Sequence, residues 1–375
     1  MVKRIDPGQT IGIIGGGQLG RMMAISAKQM GYRIAVLDPT PNSPTGQVAD
    51  VEITAAYNDL EAAKKLLQES DVVTYEFESI DVGVCEYLVE HGYVPQGSEL
   101  IRISQDRAFE KKAIEESGAK VVTYELVENI DELKRATQSI GYPCVLKTRR
   151  GGYDGKGQQI LYEELDLAQA IEVLEKGPCI LEQFLPFEKE LSVIVNRNTL
   201  GEVRSFPVAE NIHVNHILLQ SIVPARVVPT IQDKAKKAAE QLAESMDMVG
   251  TLGVEMFLTQ EGDIYINEVA PRPHNSGHYT IDACETNQFE QHIRALIGTP
   301  LGKPKLNTSV VMMNVLGEHL QEVVLRIPDV SNAKLHLYGK SEVKPKRKMG
   351  HVNFLGYHTK GLLQQTRDLE IWRQS

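Results

Sequence analysis

Apolar positions in the first hundred residues alternate between short hydrophobic runs and longer amphipathic segments. The runs Thr10–Ile14, Ile34–Leu37 and Val72–Tyr75 are mostly apolar, which is typical of strands buried on both faces of a parallel sheet. Helical spacing is found in Leu19–Met30 and in Leu60–Gln68. This β-α-β-α-β order predicts an open parallel sheet, in which ligands bind at the carboxyl ends of the strands.

Near residue 104 the pattern changes to charged helices and to strands joined by glycine-containing turns. Helices are predicted at Asp106–Ser117, Ile130–Ile140 and Ile231–Met246. Antiparallel strand pairs are predicted for Cys144–Lys147 with Gln159–Tyr162, Ser192–Asn196 with Glu202–Phe206, and Gly253–Leu258 with Ile264–Val269.

The C-terminal part returns to short β segments, at Ser309–Leu316, Ala333–Tyr338 and His351–Tyr357. We therefore predict an α/β protein, α+β overall, with three domains. They are expected at residues 1–103, 104–300 and 301–375.

Composition and charge narrow the functional classes. Hydrophobic residues make up 42% of the 375 positions and charged residues 24%, which is ordinary for a globular protein. Fifty acidic against forty basic side chains give a net charge of −10, which argues against a dedicated nucleic-acid binder. No apolar run reaches the roughly 18 residues of a membrane span, so no membrane partner is expected.

Cysteine spacing indicates the compartment. The four cysteines are scattered and form no C-x-x-C, which disfavours both a disulfide framework and a zinc site: Cys85, Cys144, Cys179, Cys284. The first residues do not have the pattern of a signal peptide. We therefore expect a cytoplasmic protein.

The first candidate motif is glycine-rich and lies between a strand and a helix. Gly15–Gly20 reads G-x-G-x-x-G, and Asp38 ends the next strand, where a ribose-binding acid would lie in a dinucleotide site. A tight turn that binds another phosphate, or no ligand, explains the same residues. Only one β-α-β half is visible, which counts against NAD(P).

The second motif is the glycine-rich segment Lys147–Gln158 between two strands. It is not a P-loop, because Gly157 follows Lys156 where Ser or Thr belongs. Backbone N–H groups of such a hairpin can approach phosphate oxygens, and Lys147 and Lys156 supply positive charge. The alternative is a flexible surface hairpin.

The third motif is a pair of carboxylates. If Glu261 and Gly262 form a two-residue hairpin loop, Glu255 lies opposite Glu268, on the same face as Phe257, Ile264 and Ile266. Two carboxylates paired on an apolar face repel each other, and a shared cation removes that conflict. Mg²⁺ is the expected ion, since it is held by one or two carboxylates and by substrate phosphates. A shared proton or a shifted register is the alternative.

Three further segments carry weaker signals. The loop Pro271–His278 follows the second carboxylate and favours anion binding over an ordinary polar loop. Glu182–Leu185 with Glu190 could line an adenosine site or form a plain amphipathic edge. The region 340–348 contains five cations in nine residues, which indicates a phosphate site or a solvated turn: Lys340, Lys344, Lys346, Arg347, Lys348. Lys340 and Arg347 are the preferred phosphate ligands, and the other three lysines are expected to be bystanders.

Together these motifs resemble the ATP-grasp superfamily and, within it, the PurK family of 5-(carboxyamino)imidazole ribonucleotide synthetases. The resemblance runs from Gly12 to about Gly356 and rests on Gly15–Met22, Gly151–Gln158, Asn267–His278 and His336–Lys340. It implies an ATP-grasp fold with an N-terminal preATP-grasp domain and a small C-terminal β-rich domain. The central ATP-grasp domain would have two subdomains, with a break near residue 180 and ATP between them. It also implies a homodimer, with ATP and Mg²⁺ (or Mn²⁺) as cofactors.

The resemblance implies a set of site residues. The ATP contacts would be Arg107, Lys147, Gly152, Tyr153, Asp154, Gly155, Lys156, Gly157, Gln158, Glu182, Gln183, Phe184, Leu185, Glu190, His213, Asn267 and Glu268. Magnesium would lie on Glu255 and Glu268. The ribonucleotide would contact Gln18, Leu19, Glu76, Tyr153, Asp154, Arg272, Lys340 and Arg347.

The implied reaction is ATP-dependent carboxylation of 5-aminoimidazole ribonucleotide by bicarbonate through carboxyphosphate. The catalytic residues would be Lys147 at the phosphates, Arg272 and His274 at the bicarbonate-derived anion, and Asp154 at the amine. Three alternatives remain at this point: another ATP-grasp ligase such as a formate-dependent glycinamide ribonucleotide transformylase or a biotin carboxylase, an NAD-dependent oxidoreductase, and a regulatory module that binds ATP without chemistry.

Overall fold

The N-terminal part of the structure, a computed structural model that describes residues 3–152 and 156–372, is built on a parallel sheet. Its strands are β1 (Thr10–Ile14), β2 (Arg33–Asp38), β3 (Val51–Thr54) and β4 (Val72–Tyr75), in the order β3-β2-β1-β4. The helices of this part are α1 (Gln18–Gln29), α2 (Leu60–Gln68), α3 (Val82–His91) and α4 (Glu99–Ser104). The predicted open parallel sheet is confirmed.

A smaller antiparallel sheet follows. Its order is β5-β8-β6-β7, from strands β5 (Tyr124–Val127), β6 (Cys144–Thr148), β7 (Gln158–Leu161) and β8 (Cys179–Gln183). In the sequence, helix α5 (Arg107–Glu116) precedes this sheet, α6 (Ile130–Ile140) connects β5 to β6, and α7 (Leu167–Leu174) connects β7 to β8. Cys144 pairs with Leu161, so the glycine-rich segment between β6 and β7 lies in a hairpin as predicted.

The rest of the chain forms one nine-stranded antiparallel sheet. Its order is β14-β13-β9-β11-β12-β15-β17-β16, with β10 paired to β9. The strands are β9 (Lys189–Arg197), β10 (Val203–Ser205), β11 (Ala209–Val214), β12 (Ile217–Val223), β13 (Gly250–Leu258), β14 (Ile264–Ala270), β15 (Ser309–Leu316), β16 (Ala333–Leu337) and β17 (Lys348–Gly356). Since β12 pairs with β15, the C-terminal strands continue the central sheet across residue 300.

The helices of this region cover the sheet and connect it to the N-terminal part. They are α8 (Pro229–Ser245), α9 (Thr280–Ala283), α10 (Gln288–Leu296), α11 (Leu320–Arg326) and α12 (Thr359–Asp368). On α10, Phe289 and Ile293 are buried in one apolar cluster with Leu19 and Met23 of α1. This contact fixes the parallel sheet next to the large antiparallel sheet. Across both described ranges, no helix combines the length and apolarity needed to cross a membrane.

The β13–β14 hairpin has a different loop from the predicted one. Thr259 donates its N–H to Asp263 O at 3.0 Å, which leaves a three-residue loop, and Gly262 at its end has φ +80°. A left-handed residue closing a three-residue loop is a common hairpin geometry. The two-residue loop was therefore wrong.

A β-bulge compensates for the longer loop. The register shifts between Glu255 and Met256, so Glu255 pairs with Glu268 as predicted. Below the bulge, Ile266 pairs with Met256 and Ile264 with Leu258. All four of these side chains belong to the apolar core under the sheet, so placing Ile264 and Ile266 on the carboxylate face was wrong.

Candidate active site

A cleft of about 1400 Å³ lies between the two antiparallel sheets and is bordered by the N-terminal part. The predicted ATP contacts that line it are Arg107, Lys147, Gly152, Lys156, Gln158, Glu182, Gln183, Phe184, Leu185, Glu190, His213, Asn267 and Glu268. Gly157 lies within the same hairpin, next to Gln158. Tyr153, Asp154 and Gly155 lie outside the described residues. Segments separated by more than a hundred positions in sequence therefore line one cleft.

One wall of the cleft carries a buried ionic cluster. Lys147 of β6 places its Nζ 2.6 Å from Glu182 Oε2 on the adjacent strand β8. Burial disfavours the Glu182 carboxylate, but Lys147 and Lys111 outweigh it and hold the pKa of Glu182 well below its usual range. Burial lowers the pKa of Lys147, which shares this single carboxylate with a second lysine.

The other wall carries the carboxylate pair. Burial and the neighbouring Glu268 raise the pKa of Glu255, as expected for two carboxylates that lack a counter-ion. Arg107 NH1 lies 3.5 Å from Glu268 Oε2 and balances part of this charge. Within residues 3–152 and 156–372, no group of three or more His, Cys, Asp or Glu side chains could hold a metal. Two facing carboxylates fit Mg²⁺, which takes its remaining ligands from phosphates and water.

A chain of polar side chains leads to Glu255. Ser192 Oγ donates to Ser276 Oγ at 2.7 Å, and Ser276 Oγ lies 2.9 Å from His274 Nδ1. His274 Nε2 lies 3.2 Å from Glu255 Oε1. Burial, together with the charge of Arg272, lowers the pKa of His274 well below its usual value. A neutral His274 with its proton on Nε2 satisfies every contact in this chain.

Arg272, at the end of β14, is held in place by a carboxylate from the N-terminal part. Its Nε and NH2 donate to the two oxygens of Glu78 at 2.6 and 3.2 Å, and NH1 donates to Pro273 O at 3.2 Å. Such a bidentate arginine–carboxylate contact is more directional than a single charge pair. Arg272 and His274 both line the cleft, on the side of the Glu255–Glu268 pair.

Asp38 supports the glycine-rich loop from behind. Its Oδ2 accepts from Gly16 N at 2.6 Å and from Tyr57 OH at 2.5 Å, and its Oδ1 accepts from Thr40 N at 2.7 Å. The residue is only 6% exposed. With these contacts the carboxylate is occupied within the protein, so the assignment of Asp38 to a cofactor ribose is wrong.

The predicted ribonucleotide contacts lie in two places. Arg272 lines the main cleft, whereas the described residues Gln18, Leu19, Glu76, Lys340 and Arg347 lie beside it, near the glycine-rich loop. Glu76 accepts from Gly20 N at 2.6 Å, and burial raises its pKa to about 7. The Leu19 side chain is buried in an apolar cluster, so only its backbone is available to a ligand.

The basic segment 340–348 reaches the main cleft at its C-terminal end. Lys340 donates to Lys348 O at 2.8 Å, and burial lowers its pKa to about 8 with help from Arg347. Lys348 lines the main cleft, and its bystander role at the ribonucleotide phosphate stays a prediction. It is the first residue of β17, which the structure adds to the large sheet.

Four residues of the site escaped the sequence analysis: Glu78, Glu110, Lys111 and Gln288. Glu110 and Lys111 are almost fully buried on α5, and Glu110 Oε1 accepts from Val269 N at 2.7 Å. Gln288 is fully buried at the start of α10. A charged pair on the apolar face of a predicted helix is the signal that would have singled out Glu110 and Lys111.

Three family models match the chain. The ribonucleotide synthetase preATP-grasp domain matches residues 8–105 and the ATP-grasp domain matches residues 112–289. The phosphoribosylaminoimidazole carboxylase C-terminal domain matches residues 310–365.

Curated relatives and solved structures agree with these matches. The N5-carboxyaminoimidazole ribonucleotide synthase of Bacillus subtilis (strain 168) is 57% identical over 351 residues, which cover 94% of this chain and 92% of the relative. A crystal structure of an ADP complex of purK, N5-carboxyaminoimidazole ribonucleotide synthetase, is 56% identical, with a TM-score of 0.97 and 99% coverage of both chains.

A more distant structure contains both nucleotides. It is the N5-carboxyaminoimidazole synthase from Aspergillus clavatus in complex with ADP and 5-aminoimidazole ribonucleotide. Its sequence is 31% identical, the TM-score is 0.91, and the match covers 97% of this chain and 98% of that one.

Proposed function

The chain belongs to the family of N5-carboxyaminoimidazole ribonucleotide synthases, and we propose that the cleft described above is where its reaction takes place. The enzyme uses ATP to carboxylate 5-aminoimidazole ribonucleotide with bicarbonate, releasing ADP and phosphate, in purine biosynthesis. The family assignment agrees with this reading, not with a formate-dependent transformylase or an NAD-dependent oxidoreductase. The observation that carries the site assignment is that Lys147, the Glu255–Glu268 pair, Arg272 and His274 line one cleft.

ATP is proposed to lie between the two antiparallel sheets. Gln183–Leu185 on the strand edge after Glu182 would hold the adenine, and Glu190 with His213 would hold the ribose. Glu190 Oε2 lies 2.8 Å from His213 Nδ1, which keeps both groups oriented. Arg107, Lys147 and the loop from Gly152 to Gln158 would contact the phosphates, with Tyr153, Asp154 and Gly155 among them.

Glu255 and Glu268 are proposed to hold Mg²⁺. When bound, Mg²⁺ neutralises charge on the transferred phosphate and orients its oxygens. Asn267, which lines the cleft next to Glu268, supplies a further oxygen or amide group at the same edge. The support for this assignment is the raised pKa of Glu255, since a cation between the carboxylates relieves their repulsion.

Arg272 and His274 are proposed to bind the bicarbonate-derived anion. Bicarbonate oxygen attacks the γ-phosphorus, and Lys147 with Arg107 offsets the charge on the phosphate oxygens. Arg272 then orients carboxyphosphate, and His274 would donate its Nε2–H to this anion in place of Glu255 when Mg²⁺ engages that carboxylate. The two antiparallel sheets and the N-terminal part border the cleft and restrict the access of water. Water would otherwise hydrolyse carboxyphosphate before CO₂ reaches the amine.

The ribonucleotide is proposed to lie across the glycine-rich loop. The N–H groups of Gln18 and Leu19 at the start of α1 favour an anion, and Lys340 and Arg347 would hold the 5′-phosphate. Glu76, between these groups, would contact the base or ribose. Tyr153 and Asp154 would close over the aminoimidazole, with Asp154 at the amine.

Three further expectations concern the domain boundaries, the oligomeric state and the cellular location. The domains would divide near residues 103 and 300, with a subdomain break near 180. A homodimer is the expected oligomeric state, which light scattering would test. A cytoplasmic location is supported by four free cysteines, three of them buried, and subcellular fractionation would test it.

The activity is tested by ADP release with ATP, bicarbonate and 5-aminoimidazole ribonucleotide, each omitted in turn. We expect the full rate only with all three, and formation of the carboxylated ribonucleotide in step with ADP. ADP release that ignores bicarbonate, or that requires formate with glycinamide ribonucleotide, would contradict the assignment. NADH absorbance in the same samples provides the control for the oxidoreductase.

A further inference from the structure

Lys111 is a charged residue with no exposure to solvent, located behind the wall of the cleft. Its Nζ lies 3.2 Å from Glu182 Oε1 and donates to Asn267 O at 3.1 Å. The residue is 0% exposed and does not line the cleft, whereas Lys147 and Glu182 do. Lys111 therefore has no direct route to a bound nucleotide.

Two lysines share the Glu182 carboxylate. Lys147 occupies Oε2 at 2.6 Å and Lys111 lies against Oε1 at 3.2 Å. Each oxygen of the Glu182 carboxylate thus has its own ammonium partner in a nearly dry environment. The buried Glu110 and Arg107 belong to the same cluster of charges.

The second ammonium matters when phosphate binds. The Lys147 side chain is 14% exposed and lines the cleft, so its ammonium can turn to phosphate oxygens. If Glu182 had no other partner, this movement would leave a buried carboxylate without a counter-ion, which is strongly unfavourable. A second ammonium that stays on Glu182 removes this cost.

We propose that Lys111 remains the counter-ion of Glu182 when ATP binds, and that this leaves Lys147 free to bind the phosphates of ATP. Lys111 acts as a positioning residue, since it touches no substrate. Its bond to the Asn267 carbonyl also ties the Glu182 wall to β14, the strand that carries Glu268. The inference rests on the proposed function, in which Lys147 contacts ATP.

The helix arrangement supports this role. Arg107 and Lys111 are one turn apart on α5, so both project toward the site from one helix face. The next residue, Lys112, is exposed and pairs with Glu116 at 3.8 Å on the outer face of the helix. The chain thus offers an adjacent lysine as a matched control.

The test measures ATP binding by calorimetry in the presence of Mg²⁺ for wild type, Lys111→Met, Lys111→Gln and Lys112→Met. We expect both Lys111 variants to raise the Kd for ATP roughly 10- to 100-fold, because Lys147 would then be the only ammonium partner of the buried Glu182 carboxylate. Lys112→Met should remain within twofold. The KM for the ribonucleotide should change little in all variants. Circular dichroism and thermal unfolding establish which variants are folded.

A double-mutant cycle identifies Glu182 as the partner. In the Glu182→Gln background position 182 no longer carries a buried carboxylate that needs a counter-ion, so adding Lys111→Met should change the Kd for ATP less than threefold. This double variant has the same net charge as wild type, which keeps the comparison possible if Lys111→Met alone does not fold. Lys111→Gln keeps a donor for the Asn267 carbonyl and removes only the charge.

Three results would overturn the inference. They are ATP affinity within twofold of wild type in folded Lys111→Gln, an equal loss of affinity in both Glu182 backgrounds, and a loss of stability without a change in Kd. Failure of the proposed function has a different signature, because wild type itself would then not bind ATP or consume the ribonucleotide.

Discussion

The side chain of Gln288 forms hydrogen bonds with both the backbone N–H and the backbone C=O of His274. Its Oε1 accepts the His274 N–H at 2.9 Å, and its Nε2 donates to the His274 carbonyl at 2.9 Å. The same Nε2 lies 3.2 Å from His278 Nδ1. Burial lowers the pKa of His278 to about 3, so this ring is neutral and accepts at Nδ1. The first residue of α10 therefore sets the position of the loop that points His274 at Glu255.

Removing the two hydrogen bonds between Gln288 and His274 should lower kcat more than it weakens ATP binding. For Gln288→Ala we expect kcat to fall about 10- to 100-fold, because a small misplacement of a catalytic group is costly. The Kd for ATP should remain within about threefold, since none of the proposed nucleotide contacts involves Gln288. Steady-state kinetics and calorimetry measure the two quantities.

Gln291→Ala is the matched control for this variant. Gln291 is equally buried on the same helix. Its Oε1 accepts from Gly302 N at 2.7 Å, and its Nε2 donates to Gly302 O at 2.8 Å. It should lose similar stability but keep kcat. Equal kcat losses in the two variants would mean that general weakening of α10, and not the position of His274, is responsible.

Glu268→Gln should remain folded and be nearly inactive. The carboxamide cannot share a cation with Glu255, so we expect kcat to fall by at least about 100-fold and the Mg²⁺ requirement to rise. Turnover across a Mg²⁺ titration provides the measurement, with Glu261→Gln in the exposed hairpin loop as the control. Activity like that of wild type at low Mg²⁺ would remove Glu268 from the metal site.

Binding of the ribonucleotide should weaken at alkaline pH. Burial and Arg347 lower the pKa of Lys340 to about 8, and only its protonated form attracts phosphate. The KM for 5-aminoimidazole ribonucleotide should therefore be lowest below pH 8 and rise above it, by up to about tenfold per pH unit. Initial rates between pH 6.5 and about 9.5, with the KM for ATP measured in parallel, supply the profile.

Lys340→Arg separates this effect from other titrating groups. Arginine keeps its charge throughout this range, so the rise in KM above pH 8 should disappear. Lys344→Arg, in the exposed part of the same segment, should keep the profile of wild type. An unchanged alkaline rise in Lys340→Arg would assign it to another group.

Asp38→Asn should destabilise the protein without a specific loss of nucleotide binding. The carboxylate accepts bonds from Gly16, Thr40 and Tyr57, and losing a charged acceptor costs roughly 1.5–3 kcal/mol of unfolding free energy. Urea unfolding measures this cost, and Asp59→Asn, at an exposed helix cap, provides a smaller reference loss. Unchanged stability together with a loss of nucleotide affinity would restore a ligand role for Asp38.

Local patterning was sufficient for the architecture and for much of the site. Apolar runs and glycine turns predicted the parallel strands β1, β2 and β4 and the three antiparallel pairs, because each signal lies within a few neighbouring residues. Short edge strands such as β3, with alternating burial, escaped detection. Motif resemblance then supplied many of the charged and polar residues that line the cleft.

Register and long-range contacts were decided by the tertiary structure. The Glu255–Glu268 pairing was predicted through a wrong two-residue loop, and a bulge that no local pattern signals restored it. Lys111, Gln288 and Glu78 gain their roles only when distant segments meet, such as Lys111 with Glu182 and Arg272 with Glu78. The sequence by itself determined which elements form and which chemical groups are present, since these depend on residue type and local spacing. Only the tertiary structure decided which buried charges share a partner, because that depends on distances between segments far apart in the chain.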